Sequence, residues 1–153
     1  MRPFQAFFES HHAAVWRFCV ASVGRADADD VFQDTFLAAL RGYDRHRAGA
    51  SGQAWVMTIA HHKAMDHHRA ARCRPVPAAE LPDVPHHDAL PEGEDPIWLR
   101  VRALPPKQRT AVTLRSVAGL SHAEVARVLG CTEEAARRSA HEGLKRLREE
   151  LPA

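Results

Sequence analysis

Apolar positions recur along the chain at intervals of three and four rather than two, and that period predicts helices. Phe4, Phe7, Phe8, Val15, Phe18 and Cys19 mark the first, from about Phe4 to Val20. Val31, Phe32, Phe36, Leu37 and Leu40 mark a second, with Asp27 or Asp29 as candidate N-caps. The stretch from Gly42 to Gly52 reads as a loop. Ser51 is placed to cap a third helix through Trp55, Val56, Ile59, Ala60 and Met65, running to about Arg72. No segment sustains the period-two alternation of a half-buried strand, so no sheet is predicted.

The pattern lapses over residues 75–96, where six prolines stand: Pro75, Pro77, Pro82, Pro85, Pro91 and Pro96. Proline lacks the N–H that helices and central strands require, so this segment reads as a semi-extended linker. It divides the chain into residues 1–74 and 97–153. The second half opens with a short helix near Pro96–Leu104. Pro105 ends it, and Pro106 suits the first turn of a helix that runs to about Val117 and breaks at Gly119. Ser121 followed by Glu124 has the spacing of a capping box for a helix over Ser121–Leu129. Gly130 is placed to close it in the left-handed conformation. Thr132 then caps a long last helix to about Leu151. A short helix, a three-residue turn with a glycine and a longer helix make a helix-turn-helix. The predicted class is all-α: two small helical domains on a linker.

Charge changes this picture more than composition does. The chain is 45% apolar and 26% charged, which is ordinary globular material. Residues 1–74 hold ten Lys/Arg against seven Asp/Glu, and residues 97–153 hold eleven against six. The linker holds six acids and no Lys or Arg. Two basic blocks flank an acidic strap, and basic blocks favour a polyanion partner. No apolar run approaches the roughly 20 residues of a membrane span. The N-terminus lacks an apolar stretch of signal-peptide length, so a cytoplasmic, non-membrane protein is expected. Cys19, Cys73 and Cys131 are scattered and form no CxxC, so buried or idle thiols are expected.

Eleven histidines, eight of them in adjacent pairs, raise the question of a metal. His62 with Asp66, or His61 with Met65, stand four apart on a helix, a spacing compatible with ligation. Adjacent histidines, however, point about 100° apart on a helix, and neither HExxH nor a Cys/His box occurs. No metal and no cofactor are expected. No Ser/His/Asp or Cys/His set argues for catalysis.

The motifs fall in a definite order. Asp29-Asp30-Val31-Phe32-Gln33-Asp34-Thr35-Phe36-Leu37 comes first, and Trp55-Val56-Met57-Thr58-Ile59-Ala60 with Lys63-Ala64-Met65-Asp66 follows. Leu104-Pro105-Pro106-Lys107-Gln108-Arg109, Gly119-Leu120-Ser121, Glu124-Val125-Ala126, Leu129-Gly130 and Lys145-Arg146-Leu147 complete the set. In this order the chain resembles RNA polymerase sigma factors of the extracytoplasmic-function (ECF) kind. The first half is similar to sigma region 2 and the second to region 4.

The resemblance implies partners and residues. Asp30, Gln33, Asp34 and Leu37 would grip a coiled coil of the core RNA polymerase's largest subunit; these four positions share one helical face. The third helix would hold the promoter −10 element as it melts, through Trp55, His61, His62, Lys63, Asp66, His67, Arg69 and Arg72. His61 and His62 replace what is often Arg-Asn, lowering the charge at neutral pH. Protonation of His61, His62, His67 and His68 among Lys63, Arg69, Arg72 and Arg74 is expected to tighten phosphate binding as pH falls. The helix-turn-helix would read the −35 element through Thr132, Arg137, Arg138, Ser139, His141 and Lys145. That helix departs from the family's Thr-Val and Lys-Ser-Arg pattern: Glu134 and Glu142 oppose entry into a phosphate-lined groove. Gly143 is expected to cost about 1 kcal/mol relative to Ala. Altered or weakened −35 reading is implied. The linker would occupy the polymerase's active-centre and RNA-exit path, and an anti-sigma factor is a further candidate partner. The alternatives are a degenerate sigma-like regulator that binds polymerase or DNA without initiating, and a His-rich metal sensor.

Overall fold

The structure is a computed structural model that describes residues 3–46, 51–73 and 96–150. Seven α-helices run in chain order: α1 (Pro3–Val23), α2 (Arg25–His46), α3 (Gly52–Cys73), α4 (Pro96–Ala103), α5 (Pro106–Val112), α6 (His122–Leu129) and α7 (Glu133–Glu150). No strand occurs among the described residues. The proline-rich linker, apart from Pro96, lies outside them.

The first three helices pack on one another. Val15, Phe18 and Cys19 of α1, Val31 and Ala39 of α2, and Val56, Met57 and Ala60 of α3 are buried together. Thr35 is fully buried and spends its hydroxyl on the Val31 carbonyl at 2.7 Å, so no polar group is orphaned there. Gly24, at φ +88°, turns the chain between α1 and α2. Its carbonyl accepts the first helical bond, from Ala28 N–H at 2.9 Å. The helix therefore starts ahead of Asp27 and Asp29, and neither is its N-cap. Asp27 lies in the first turn, where its charge still favours the helix dipole.

Gly42 does not open a loop. It lies within α2, where a Cβ would sit 3.3 Å from the Trp55 ring, so its role is close packing rather than a break. Ser51 meets its expectation as a cap, accepting from Ala54 N–H at 3.4 Å.

In the second half Pro106 opens α5 as expected. The helix then widens into a π-helical segment, Thr113–Val117, which the apolar pattern does not announce. Ala118 N–H bonds the Thr113 carbonyl at 3.1 Å, five residues back, before Gly119 breaks the run at φ +72°. The capping box is complete: Ser121 Oγ accepts from Glu124 N–H at 3.2 Å, and Glu124 accepts from Ser121 N–H at 3.1 Å. Gly130 closes α6 at φ +69°, and Thr132 Oγ1 caps α7 through Ala135 N–H at 3.1 Å.

These bonds hold the Glu124 carboxyl below its ordinary 4.5. A carboxyl depressed in the folded state contributes stability above its unfolded value and loses it as pH falls through the folded one. Ser121→Ala is expected to cost about 1 kcal/mol in urea unfolding at pH 7. Glu124→Ala, which removes the carboxylate from the Ser121 N–H, should cost less as pH falls below the ordinary carboxylate range. An equal cost at pH 7 and at about pH 3.5 would contradict this account.

The two halves share their core. Leu114, Leu120, Val125 and Ala136 belong to the same buried cluster as Val15, Phe18 and Met57. Ala21 of α1 is buried in a second cluster with Val101, Leu104, Val112 and Leu147. Polar links also cross the seam among the described residues. The Gln53 amide donates to the Ala118 carbonyl, and Arg102 donates to the Val20 carbonyl at 3.1 Å.

Candidate nucleic-acid and partner interface

Three surfaces carry the residues singled out by the sequence. The first is α2. Asp30, Gln33 and Asp34 are exposed on it, as one face at spacings of three and four requires. Gln33 is oriented by Asp29, which accepts its amide at 3.2 Å. Leu37 and Leu40 are 50% and 54% exposed. They rim an apolar groove of about 320 Å³ whose walls include Phe4, Phe8, Phe32 and Phe36. The sequence singled out Leu37 but not Leu40 or this groove. The signal was available: Leu37 and Leu40 fall off the stripe of Val31, Thr35 and Ala39 that faces the core.

A polar cleft of about 390 Å³ lies between α2 and α3. Asp30, Gln33 and Asp34 line it together with Lys63, Asp66 and His67. Residues expected to serve two different partners thus meet in one cleft. His67 Nε2 lies 3.4 Å from Asp27 Oδ2. Arg69 pairs with Asp66 at 2.6 Å, an exposed i,i+3 pair that costs little to break in favour of a phosphate.

The second surface is α3, and here an expectation needs correcting. His61, His62, His67 and His68 do not form one phosphate-facing row. His62 is exposed and His67 turns to Asp27. His61 and His68 are half-buried and turn toward the second half of the chain. Burial, then His62, then Arg109 push His61 down to about 4. Burial and Arg109 likewise lower His68. The reason is helical phase: adjacent residues point about 100° apart, so paired histidines face different neighbours. Trp55 is half-buried, edge-on to Phe7 at 5.6 Å. One side of it faces a small cleft closed by Glu124, Arg127 and Val128 of α6. Lys63 is half-buried, Arg72 is exposed, and Arg74 lies outside the described residues.

The third surface is the outer face of α7. Ala136, Ala140, Gly143 and Leu147 face inward and are buried. That phase leaves Arg137, Arg138, His141 and Lys145 exposed and Ser139 half-buried. Arg137 pairs with Glu133 at 3.1 Å. Glu142, an expected obstacle to DNA, accepts from the Gln108 amide at 3.4 Å and is thereby tied to α5.

Gly143, by sequence only a helix defect, has a packing role. A Cβ there would lie 2.5 Å from Val112 Cγ2 and 3.2 Å from the Gln108 carbonyl oxygen. The glycine lets α5 and α7 approach. Cys19 is buried and its thiol is pushed up to about 12, while Cys131 is exposed. Among the described residues no group of three or more His, Cys, Asp or Glu is placed to hold a metal ion. Nor is any helix among them long and apolar enough to cross a membrane.

Comparison with known proteins matches both halves of the chain to a family. The model of Sigma-70 region 2 matches residues 7–73, and that of Sigma-70 region 4 matches residues 94–147. The ECF RNA polymerase sigma factor SigD of Mycobacterium tuberculosis is 38% identical, over 95% of this chain and 75% of that protein. This chain belongs to the ECF sigma factors. The ECF sigma factor SigC of the same organism is 33% identical, over 85% of this chain and 73% of its own. In fold, this sigma factor is similar to the sigma factor RpoE solved in complex with the anti-sigma factor NepR from Bartonella quintana. The TM-score is 0.78 at 21% identity, over 97% of this chain and 96% of that one. As a sigma factor the chain is a polymerase-binding transcription initiation factor that recognises promoter DNA, and neither the metal-sensor reading nor the degenerate-regulator reading is favoured.

Proposed function

We propose that the sigma factor divides this task among the three surfaces. Asp30, Gln33 and Asp34, with Leu37 and Leu40 beside them, hold core polymerase. Charge-assisted bonds to basic side chains and burial of the two leucines supply the grip. On α3, Lys63, Arg69 and Arg72 anchor −10 phosphates, with His62 as an exposed neighbour, Asp66 holding Arg69 ready and Trp55 as a stacking face. On α7, Arg137, Arg138, His141 and Lys145 approach the −35 element behind the Thr132 cap, with Ser139 between them. Residues 1–74 and 97–153 act as the two functional units and residues 75–96 join them. The protein works in the cytoplasm, leaves phosphoryl transfer to polymerase, and is a candidate partner for an anti-sigma factor, like the relative solved with NepR.

The observation that carries this reading is the exposed acid-and-amide face of α2 beside the Leu37–Leu40 groove. Run-off transcription with core polymerase over a genomic promoter library tests it. Discrete transcripts that depend on the protein are expected, and Arg137→Glu with Arg138→Glu should weaken those that need the −35 element by roughly tenfold or more. Each phosphate-binding cation removed should also make the salt dependence shallower, by a slope of about one. Tight polymerase binding with no discrete transcript would instead make the protein a regulator that occupies polymerase without initiating.

A further inference from the structure

One stripe of α3 runs Trp55, Thr58, His61, Met65, His68 and Arg72, at steps of three and four. It is the stripe turned toward the second half of the chain. Trp55 and Thr58 share a cleft with Glu124 and Arg127 of α6. Met65, His68 and Arg72 share a cavity of about 390 Å³ with Pro106 and Arg109 of α5. The same stripe carries Trp55, His61 and Arg72, three of the residues assigned above to the −10 element. Arg72 stays exposed, but Trp55 and His61 are half-buried against the second half of the chain, and DNA cannot take up their full faces without the halves parting.

Around the cavity of Met65 and His68 the seam is short of negative charge; farther along it Glu124 of α6 lies by Trp55 and Thr58, engaged by Ser121 and the Ser51 hydroxyl. His61 faces Arg109 across it, with His62 beside it on α3. His68 faces Arg109 as well, with His67 and Arg72 on its own helix and the Ser22 main chain of α1 on the other side. The Nε2 of His68 is buried with no hydrogen-bond partner. Arg109 is itself partly desolvated, and its guanidinium donates to the Arg102 carbonyl at 3.2 Å. Among the described residues no carboxylate lines this cavity. On α2 and α3, Asp27 pairs with His67 at 3.4 Å and Asp66 with Arg69 at 2.6 Å.

We propose that packing of α5 and α6 on α3 covers the Trp55–His61 part of the promoter-binding helix, and that protonation of His61 and His68 against Arg109 opens this seam. A charge added to either ring would meet the charge of Arg109 in a partly desolvated seam; at His68 the hydrogen bond to the Ser22 main chain works the other way and is outweighed. The direction follows from linkage. Both rings are held neutral in the closed form, so closure binds fewer protons than the open form. Closure is then fully present above the ordinary histidine value of about 6.5 and is lost as pH falls toward about 4, the value of His61. Each histidine lowers the closed-to-open ratio by up to about tenfold per pH unit in that window.

Small-angle scattering of the full chain at about pH 7.5 and about pH 5.5, at one ionic strength, measures the opening directly. The radius of gyration should rise at the lower pH while helix content by circular dichroism stays constant. His61→Gln with His68→Gln should remove the response. Arg109→Gln, which spares both rings, should move the opening to lower pH. In the unaltered chain, histidine ring titration by NMR should share the midpoint of the expansion. A radius that ignores pH, a response that survives the double variant, or helix loss at the same midpoint would overturn the proposal. Only the masking of DNA rests on the promoter reading of α3. Expansion without tighter binding of single-stranded −10-like DNA would count against that reading and leave the opening established.

Discussion

Changing Asp30 and Asp34 together to Arg is expected to abolish association with core polymerase while leaving the helices intact. Both side chains are exposed, so neither change disturbs the buried stripe of α2. Each reversal replaces an attraction by a repulsion at the same place. Removing one partner of a desolvated charge pair costs about 2–5 kcal/mol, and reversal of two should reduce affinity by roughly a thousandfold or more. Asp30 and Asp34 also line the cleft that holds Lys63 and His67, so the variant brings cations together there. Circular dichroism and urea unfolding separate that effect from impaired binding. The expected result is an unchanged midpoint with no co-purification from a mixture with core polymerase. Normal co-purification of the double variant would remove α2 from the polymerase interface.

The second large effect is on stability, and its sign opposes helix propensity. Alanine is favoured over glycine inside a helix by about 1 kcal/mol, so Gly143→Ala would stabilise an exposed α7. Here the added methyl meets Val112 Cγ2 at 2.5 Å and the Gln108 carbonyl oxygen at 3.2 Å. The second of these is backbone and cannot rotate away. Overpacking of this kind costs about 1–3 kcal/mol, enough to exceed the propensity gain. Gly143→Ala should therefore lower the urea midpoint. Val112→Ala in the same chain should restore part of it, because it removes the nearer obstacle. A variant more stable than the parent would show that α5 and α7 have room to separate.

Much of this was legible in the sequence because it depends on local chemistry. Ser121 with Glu124, Gly130, Thr132 and Pro106 each fix a helix end through their own side chain or backbone, and all four ends follow from the sequence. The acidic face of α2 follows from spacing alone. What escaped depends on which element lies opposite. Gly42 and Gly143 look like breaks until Trp55 and Val112 are seen against them. The four histidines of α3 look like one cationic row until the second half takes two of them. Composition marked a boundary between the halves but not that Leu114, Leu120 and Val125 share a core with Phe18 and Met57. The apolar groove needed α1 as its other wall. The outer face of α7 was legible only as a departure from a pattern, and the tether of Glu142 to Gln108 came from tertiary packing.

The π segment Thr113–Val117 makes the chain's length here an angular setting. A π turn holds one residue more than the α-helix it interrupts. One residue corresponds to about 100° of rotation in an α-helix. Deleting a single codon in this stretch would let the backbone return to regular bonding and would still leave a helix. Everything after it, from Gly119 through α6 and α7, would then leave that helix on a different bearing. Point substitutions along α7 tune what the last helix touches; the number of residues between Val112 and Ala118 decides where it is aimed. Within this stretch, insertions and deletions would act on promoter choice as steering changes, even where every DNA-facing side chain is kept.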